Sequence, residues 1–243
     1  MLDQSVLHRL VRRLEQRACL EDSDRDALGS LSFRRKLYEP SSYILREGTA
    51  CEEIALVLDG FAYRQKLTEE GGRQILGVHI PGDFVNIEGA LLSVADHNVQ
   101  ALTLCEIAAV PVREVIALVD SHPRVARALW VDTLIDASIY REWITNVGRR
   151  PARQRLAHLL CEFAKRLQLA HMGDESGYSL PMTQEQLADA TGLTPVHVNR
   201  SLKALEADGL IVRNRRFIGI PDWERLRDES GFSELYLHFD QIA

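Results

Sequence analysis

The stretch TQEQLADATGLTPVHVNRSLKALEADGLIVRNRRFIGI, residues 183–220, constrains this chain more than any other part of it. Thr183 is followed three residues later by Gln186, the reciprocal pair of a capping box, which predicts a short helix over 184–190. In Thr191-Gly192-Leu193 the glycine permits the sharp backbone reversal of a tight turn. Thr194 is an N-cap, and Pro195 takes the first helical position, where a missing N–H costs nothing. The second helix should stop at Gly209, a residue suited to the left-handed conformation just past a helix end. Two helices joined by a short glycine turn form a helix-turn-helix. Leu187, Ala188, Leu193, Val198 and Leu202 pack the pair, which leaves Val196, His197, Asn199, Arg200 and Lys203 towards solvent. LIVRNRRFIGI then reads as two strands around a basic turn, a wing with Arg213, Arg215 and Arg216 at its tip.

In such a motif the N-terminal half of the second helix faces base edges in the major groove of double-stranded DNA. Arg200 is the strongest candidate for base readout, because a guanidinium can donate two bonds to guanine O6 and N7. Val196 can only touch a thymine methyl or pack, whereas His197 and Asn199 can add a base or phosphate bond. Thr183, Gln184, Thr194, Lys203, Arg213 and Arg215 suit phosphates and would set register without reading sequence. The net charge of −6 does not oppose this. Residues 149–220 hold 11 Arg/Lys and 7 Asp/Glu, a balance of +4, so the rest of the chain carries −10. An acidic chain with one basic segment fits DNA binding confined to that segment.

At 243 residues, with 46% apolar and 26% charged residues, the chain has the composition of a globular protein of about two domains, neither disordered nor fibrous. No apolar run approaches the roughly 20 residues of a membrane span. The N-terminus carries charges throughout and lacks the apolar core of a secretory signal, so a cytoplasmic protein without membrane association is expected. Residues 1–30 read as two helices: an amphipathic one over 3–17 with Val6, Leu7, Leu10, Val11 and Leu14 in one stripe, and a short one capped by Ser23 and Asp26. Over 31–112, β-rich runs (FRRKLY, SYIL, EIALVL, FAYRQKL, RQILGVHI, ALTLCEIAAV) alternate with turn signals, which suggests an antiparallel barrel or jelly roll, with a hairpin at Glu69-Glu-Gly-Gly72. Over 113–148 helices return, at 112–120 and, after Pro123, at 124–147. In the longer one Ala128, Val131, Ile135, Ser138 and Ile139 form a seam able to pair with a second copy. Gly148-Arg-Arg-Pro151 is the predicted hinge to the last domain, 149–243, which opens with a helix over 152–170 and a polar loop at 171–178.

The barrel, long helix, hinge, helix-turn-helix and wing, in this order, resemble the Crp/Fnr transcription regulators, named for the cyclic-AMP receptor protein and the fumarate–nitrate regulator. The resemblance spans nearly all 243 residues and is most specific in TQEQLADATGLTPVHVNRSLKALEADGLI, with support from PGDF at 81–84. It implies an α+β protein with a cyclic-nucleotide-binding-like sensor barrel, a long dimerisation helix and a winged helix-turn-helix. It also implies a homodimer on an inverted-repeat DNA site, and contact with RNA polymerase, for which the 171–179 loop and the 67–73 hairpin are candidates by position. Activation and repression both remain open.

For the effector, Gly82, Asp83, Phe84 and Glu88 resemble the start of the family's cyclic-nucleotide cassette. The arginine that should follow is absent: its place falls near Ala95 and Asp96, and no Arg occurs between Arg73 and Arg113. A cyclic phosphate would lose its bidentate cation and meet a carboxylate. The iron–sulfur members need three cysteines clustered near the N-terminus, and this chain has only Cys19 there; its others are Cys51, Cys105 and Cys161, without a CxxC pair. Haem-sensing members place a histidine where Val85-Asn86-Ile87-Glu88 stands. No cofactor is therefore expected, and the small-molecule effector is unnamed. A cyclic-nucleotide regulator with a non-standard cassette is the alternative. A metal-dependent cupin enzyme is remote, because His79 and His97 lack the clustered His-x-His ligand pattern.

Overall fold

The computed structural model describes residues 4–173 and 177–239. The chain divides into two compact units, one of Met1–Gln65, Val78–Ile139 and Leu237–Ala243, the other of Lys66–Gly77 and Tyr140–Tyr236.

The first unit begins with helices α1 (Gln4–Glu15) and α2 (Asp22–Gly29). The capping box of α2 lies earlier than the Ser23/Asp26 pair predicts: Glu21 is the N-cap and Asp24, not Asp26, answers it. Strands β1 (Arg34–Tyr38), β2 (Tyr43–Leu45), β3 (Glu53–Asp59), β4 (Ala62–Leu67), β5 (Arg73–His79), β6 (Asn98–Ala101) and β7 (Cys105–Pro111) form two antiparallel sheets, ordered β1-β7-β3 and β2-β6-β4-β5. The unbroken apolar run of β3 follows from burial on both faces. Ala55 and Val57 face the other sheet with Ala62, Val99 and Ala101, while Ile54, Leu56 and Leu58 face a helical core that includes Leu10, Leu14 and Leu28.

The run ALTLCEIAAV is two strands rather than one. β6 ends at Ala101 in one sheet and β7 starts at Cys105 in the other, so the chain changes sheet at 102–104. The crossing is tight: Gly60 has φ +76°, and a Cβ there would stand 2.0 Å from the Leu104 carbonyl oxygen. The hairpin predicted at 69–72 connects β4 and β5, with Gly71 at φ +84°. Helices α3 (Val112–Ser121) and α4 (Pro123–Arg149) follow, and α4 passes through Gly148 before the chain breaks at Pro151.

In the second unit α5 (Ala152–Leu169) buries Leu156, Leu159, Leu160, Phe163 and Leu167, as its periodicity predicts. The polar loop gives way to a short strand, β8 (Gly177–Ser179), absent from the sequence reading. After α6 (Gln184–Thr191) and α7 (Pro195–Ala207), strands β9 (Val212–Asn214) and β10 (Phe217–Gly219) form the wing, and β8 completes it as a sheet of order β8-β10-β9. The extension beyond the wing is α8 (Trp223–Ser230) and a helical turn at Glu234–Leu237. Its Tyr236 hydroxyl donates to Glu162 (2.8 Å), a fully buried carboxylate that also accepts from Trp143 Nε1 (3.0 Å) and so joins α4, α5 and the extension.

Candidate nucleic-acid interface

The local chemistry of the helix-turn-helix is as its sequence dictates. Thr183 accepts from Gln186 N, and the Gln186 side chain accepts from Thr183 N (2.9 Å), closing the capping box of α6. Gly192, at φ +63°, ends that helix in the left-handed region. Thr194 caps α7 by accepting from His197 N, with Pro195 in its first turn. Past α7, Gly209 N donates to Glu206 O and Leu210 N to Leu205 O, the paired bonds that close a helix end around a left-handed glycine.

This frame leaves one polar face open. Thr183, Gln184, Thr194, His197, Arg200, Lys203 and Arg215 are exposed, and Val196 is 76% exposed at the start of α7. Asn199 is half-buried and donates to Gln184 Oε1 (3.2 Å), which links the N-terminal ends of the two helices. Arg213 differs from its neighbours: it lies within β9 rather than at the wing tip, and its guanidinium pairs with Glu206 (2.7 Å). The tip is Arg215-Arg216, and Arg215 has φ +55°, a conformation that costs a non-glycine residue about 1–2 kcal/mol. The wing thus holds a cation, at a cost, where glycine would relax. The helix N-terminus adds its own partial positive charge to this face.

On α4, the predicted seam is largely spent inside the protomer: Ala128, Ile135 and Ser138 are buried, with Val131 and Ile139 half-buried. The free apolar row is Trp130 (67% exposed), Leu134 (53%) and Ile144 (72%), with half-buried Ala137 between the last two, at steps of four, three and seven residues. The helix carries two apolar stripes, and periodicity alone does not say which one the sheets cover.

In the first unit, the four cassette-like residues are engaged by the protein itself. Gly82 (φ +98°) makes a turn whose Asp83 accepts from Ile80 N (2.9 Å), and Phe84 is buried in the helical core. Asp83 also pairs with Arg13 of α1 (3.3 Å), which reaches Asp132 of α4 (2.9 Å), where Arg17 joins it (3.0 Å). Burial opposes the charge of Arg13, yet Asp132 and Asp83 raise its pKa. Asp136, one turn further along α4, is pushed up to about 7 by burial and by the charges of Asp132 and Asp83. Glu88 pairs with Arg64 of β4 (3.2 Å), whose guanidinium also donates to Val85 O (2.8 Å). The sequence therefore misses an arginine: none follows the cassette, but β4 supplies one, already matched to a carboxylate. A separate pocket of about 340 Å³ opens at one end of the sheets, lined by residues such as Lys36, Tyr38, Cys51, Glu53 and Asn86. None of Gly82, Asp83, Phe84 and Glu88 lines it. Cys19 is exposed, whereas Cys105 and Cys161 are core residues whose thiols burial pushes up to about 12.

The hairpin predicted as a protein-contact loop has Arg73 bonded to Asp189 of α6 (2.6 Å). Of the 171–179 loop, residues 174–176 lie outside the described residues. No helix among the described residues is long and apolar enough to cross a membrane.

Comparison with known proteins agrees with this geometry. Residues 154–229 match the Crp-like helix-turn-helix domain, and residues 35–122 the cyclic nucleotide-binding domain. The chain is 30% identical over 235 residues to the transcriptional activator protein FnrL of Cereibacter sphaeroides, covering 93% of this chain and 94% of that protein. It is 31% identical over 180 residues to the nitrogen fixation regulation protein FixK of Bradyrhizobium diazoefficiens, covering 73% of this chain and 74% of that one. The solved structure of FixK2 from Bradyrhizobium japonicum superposes with a TM-score of 0.76 at 25% identity, over 82% of this chain and 97% of that one. With two sheets of the cyclic nucleotide-binding class, a long helix and a Crp-like helix-turn-helix in that order, and with FnrL matched over 94% of its length, this chain belongs to the Crp/Fnr family of DNA-binding transcription regulators.

Proposed function

We propose that the protein acts in the cytoplasm as a homodimer paired through the Trp130, Leu134, Ala137 and Ile144 row of α4, and binds an inverted-repeat DNA site with one α7 in each half-site. The observation that carries this reading is the exposed N-terminal half of α7, where Val196, His197 and Arg200 stand on a helix start fixed by Thr194. Arg200 reads a guanine, Val196 meets a thymine methyl, and His197 and Asn199 add bonds to bases or phosphates. Thr183, Gln184, Thr194, Lys203 and Arg215 hold phosphates, while Arg213 steadies the wing through Glu206. Its action is occupancy of DNA and recruitment of RNA polymerase rather than catalysis, and the activator names of its relatives favour activation. The sheet unit does not take a cyclic nucleotide at Gly82–Glu88, because the carboxylates of Asp83 and Glu88 already hold the nearby guanidiniums.

Competition shift assays on a site selected from random DNA test this assignment. Arg200→Ala should cost about 1–3 kcal/mol on the selected site and relax the preference at one base pair. An equal loss on selected and scrambled DNA would make Arg200 a phosphate contact instead.

A further inference from the structure

Arg155, on the first turn of α5, ties together the hinge, the α6–α7 turn and the end of α4, the three segments that set where the recognition helix begins. Its Nε donates to the Arg150 carbonyl at the hinge (2.7 Å). Its Nη1 donates to the Thr191 carbonyl (3.0 Å) and more distantly to that of Gly192 (3.5 Å), in the turn between α6 and α7. Its own carbonyl accepts from Asn146 Nδ2, on the last turns of α4 (3.2 Å). A fourth contact closes the set: a Cβ at Gly192 would stand 3.0 Å from Val147 Cγ1, so the end of α4 lies directly against the turn.

The chemistry of this arrangement is specific to arginine. The carbonyls at the end of α6 lack helical partners and carry the negative end of its dipole, so a cation is favoured there. A guanidinium presents Nε and Nη donors in one rigid plane and can hold two separate carbonyls at once. A lysine ammonium could satisfy one of them, but not fix the angle between them. Thr191 is fully buried and Val147 leaves no room for a side chain at Gly192, so these bonds hold the turn where its neighbours already crowd it.

We infer that Arg155 is a positioning residue that locks the α6–α7 turn to the end of α4 and thereby sets the half-site spacing the protein accepts. The inference rests on the proposed dimer through α4. If α4 is the axis of a dimer, the angle at which α7 leaves it fixes the distance between the two reading helices. Adding one base pair between half-sites moves them about 3.4 Å and turns them by about 35°. A rigid hinge forfeits simultaneous engagement under that change, and a loosened one tolerates it.

The test uses the full chain and its Arg155→Lys and Arg155→Gln variants. Affinity is measured for the selected inverted repeat, for repeats one base pair longer and shorter, for a single half-site and for scrambled DNA. The parent should lose about 100-fold for a one-base-pair change in spacing, the gain from bivalent engagement. Both variants should lose less than about tenfold, while keeping the parent's preference for a single half-site over scrambled DNA. Variants that retain the parent's spacing ratio would overturn the inference, as would loss of the single-half-site preference or melting below the assay temperature, either of which would make Arg155 a residue of the domain's fold alone. A parent that binds the inverted repeat no better than a half-site would sink the dimer reading, and this inference with it.

Discussion

In the sheet unit, the arginines nearest the Gly82–Glu88 segment are buried or half-buried and matched to the unit's own carboxylates: Arg13 with Asp83 and Asp132, Arg17 with Asp132, Arg64 with Glu88. On the open face of the helix-turn-helix unit, Arg200, Lys203 and Arg215 stand exposed, whereas Arg213 is paired with Glu206. The contrast separates two uses of the same residue type. A cation neutralised in the interior holds the fold and is costly to release to a ligand, whereas one held on a capped helix or a strained wing tip remains available to a polyanion.

The largest effect expected from this comparison is on stability. Asp132→Ala would leave buried Arg17 and half-buried Arg13 without their shared partner, at a cost of about 3–5 kcal/mol. Urea unfolding measures it, and a loss below about 1 kcal/mol would mean that the cluster is solvated rather than structural.

Two buried groups, one in each unit, should respond to pH with opposite signs. Burial and the nearby Arg150 charge hold the His158 imidazole neutral, with its pKa pushed down to about 3. The Glu142 carboxylate 3.2 Å from its Nε2 is taken by Arg150 (2.5 Å). An unfolded histidine binds its proton near pH 6.5, so the stability this group contributes is lost as pH falls from there towards 3. Asp136 behaves inversely: its carboxyl keeps its proton in the folded state up to about 7, so its contribution is present below about 4 and lost as pH rises towards 7. Hydrogen exchange read separately in β3 and α5 distinguishes the two. His158→Gln should flatten the acid-side loss in α5, and Asp136→Asn the loss towards neutral pH in β3. Variants whose profiles match the parent's in their own unit would contradict the assignment.

A smaller effect separates the two stripes of α4. Leu134→Glu should weaken the dimer by on the order of 2 kcal/mol while leaving a folded protomer, because Leu134 is exposed. Ile135→Glu, one residue on, would bury a carboxylate inside the protomer and unfold it. Sedimentation and circular dichroism together decide this, and a dimer unchanged by Leu134→Glu would put the interface elsewhere. The smallest effect lies at the wing: Arg215→Gly should gain about 1 kcal/mol of stability by relieving the positive φ, and lose DNA affinity equally on all sequences.

The same contrast governs what the sequence reveals. Thr183 with Gln186, Gly192, and Thr194 with Pro195 act on backbone within a few residues, so the helix-turn-helix is legible to its caps. The crossing at 102–104 is not, because the choice between sheets is made by β1, β3, β2 and β4 from distant parts of the chain. The free face of α4 is hidden for a similar reason: residues 128–139 and 130–144 both repeat at helical steps, and only the packing of the sheet unit selects between them. Arg64 and Arg155 escape the sequence altogether, since Glu88 and Thr191, the partners that give them their roles, lie 24 and 36 residues away and neither arginine sits in a motif. Cysteine and histidine counts narrow the effector chemistry without locating the pocket at Lys36 and Glu53, which is assembled from β1, β2, β3 and β7 and the loops at 46–52 and 85–86.

The central claim, a DNA reader whose exposed α7 acts twice on one site, is tested most directly by selecting binding sites from random DNA with the full chain. The predicted result is an inverted repeat whose half-sites lie about one helical turn apart, with a guanine in each half-site whose preference disappears in Arg200→Ala. Enrichment of a single unrepeated element, or of no sequence at all, would contradict it.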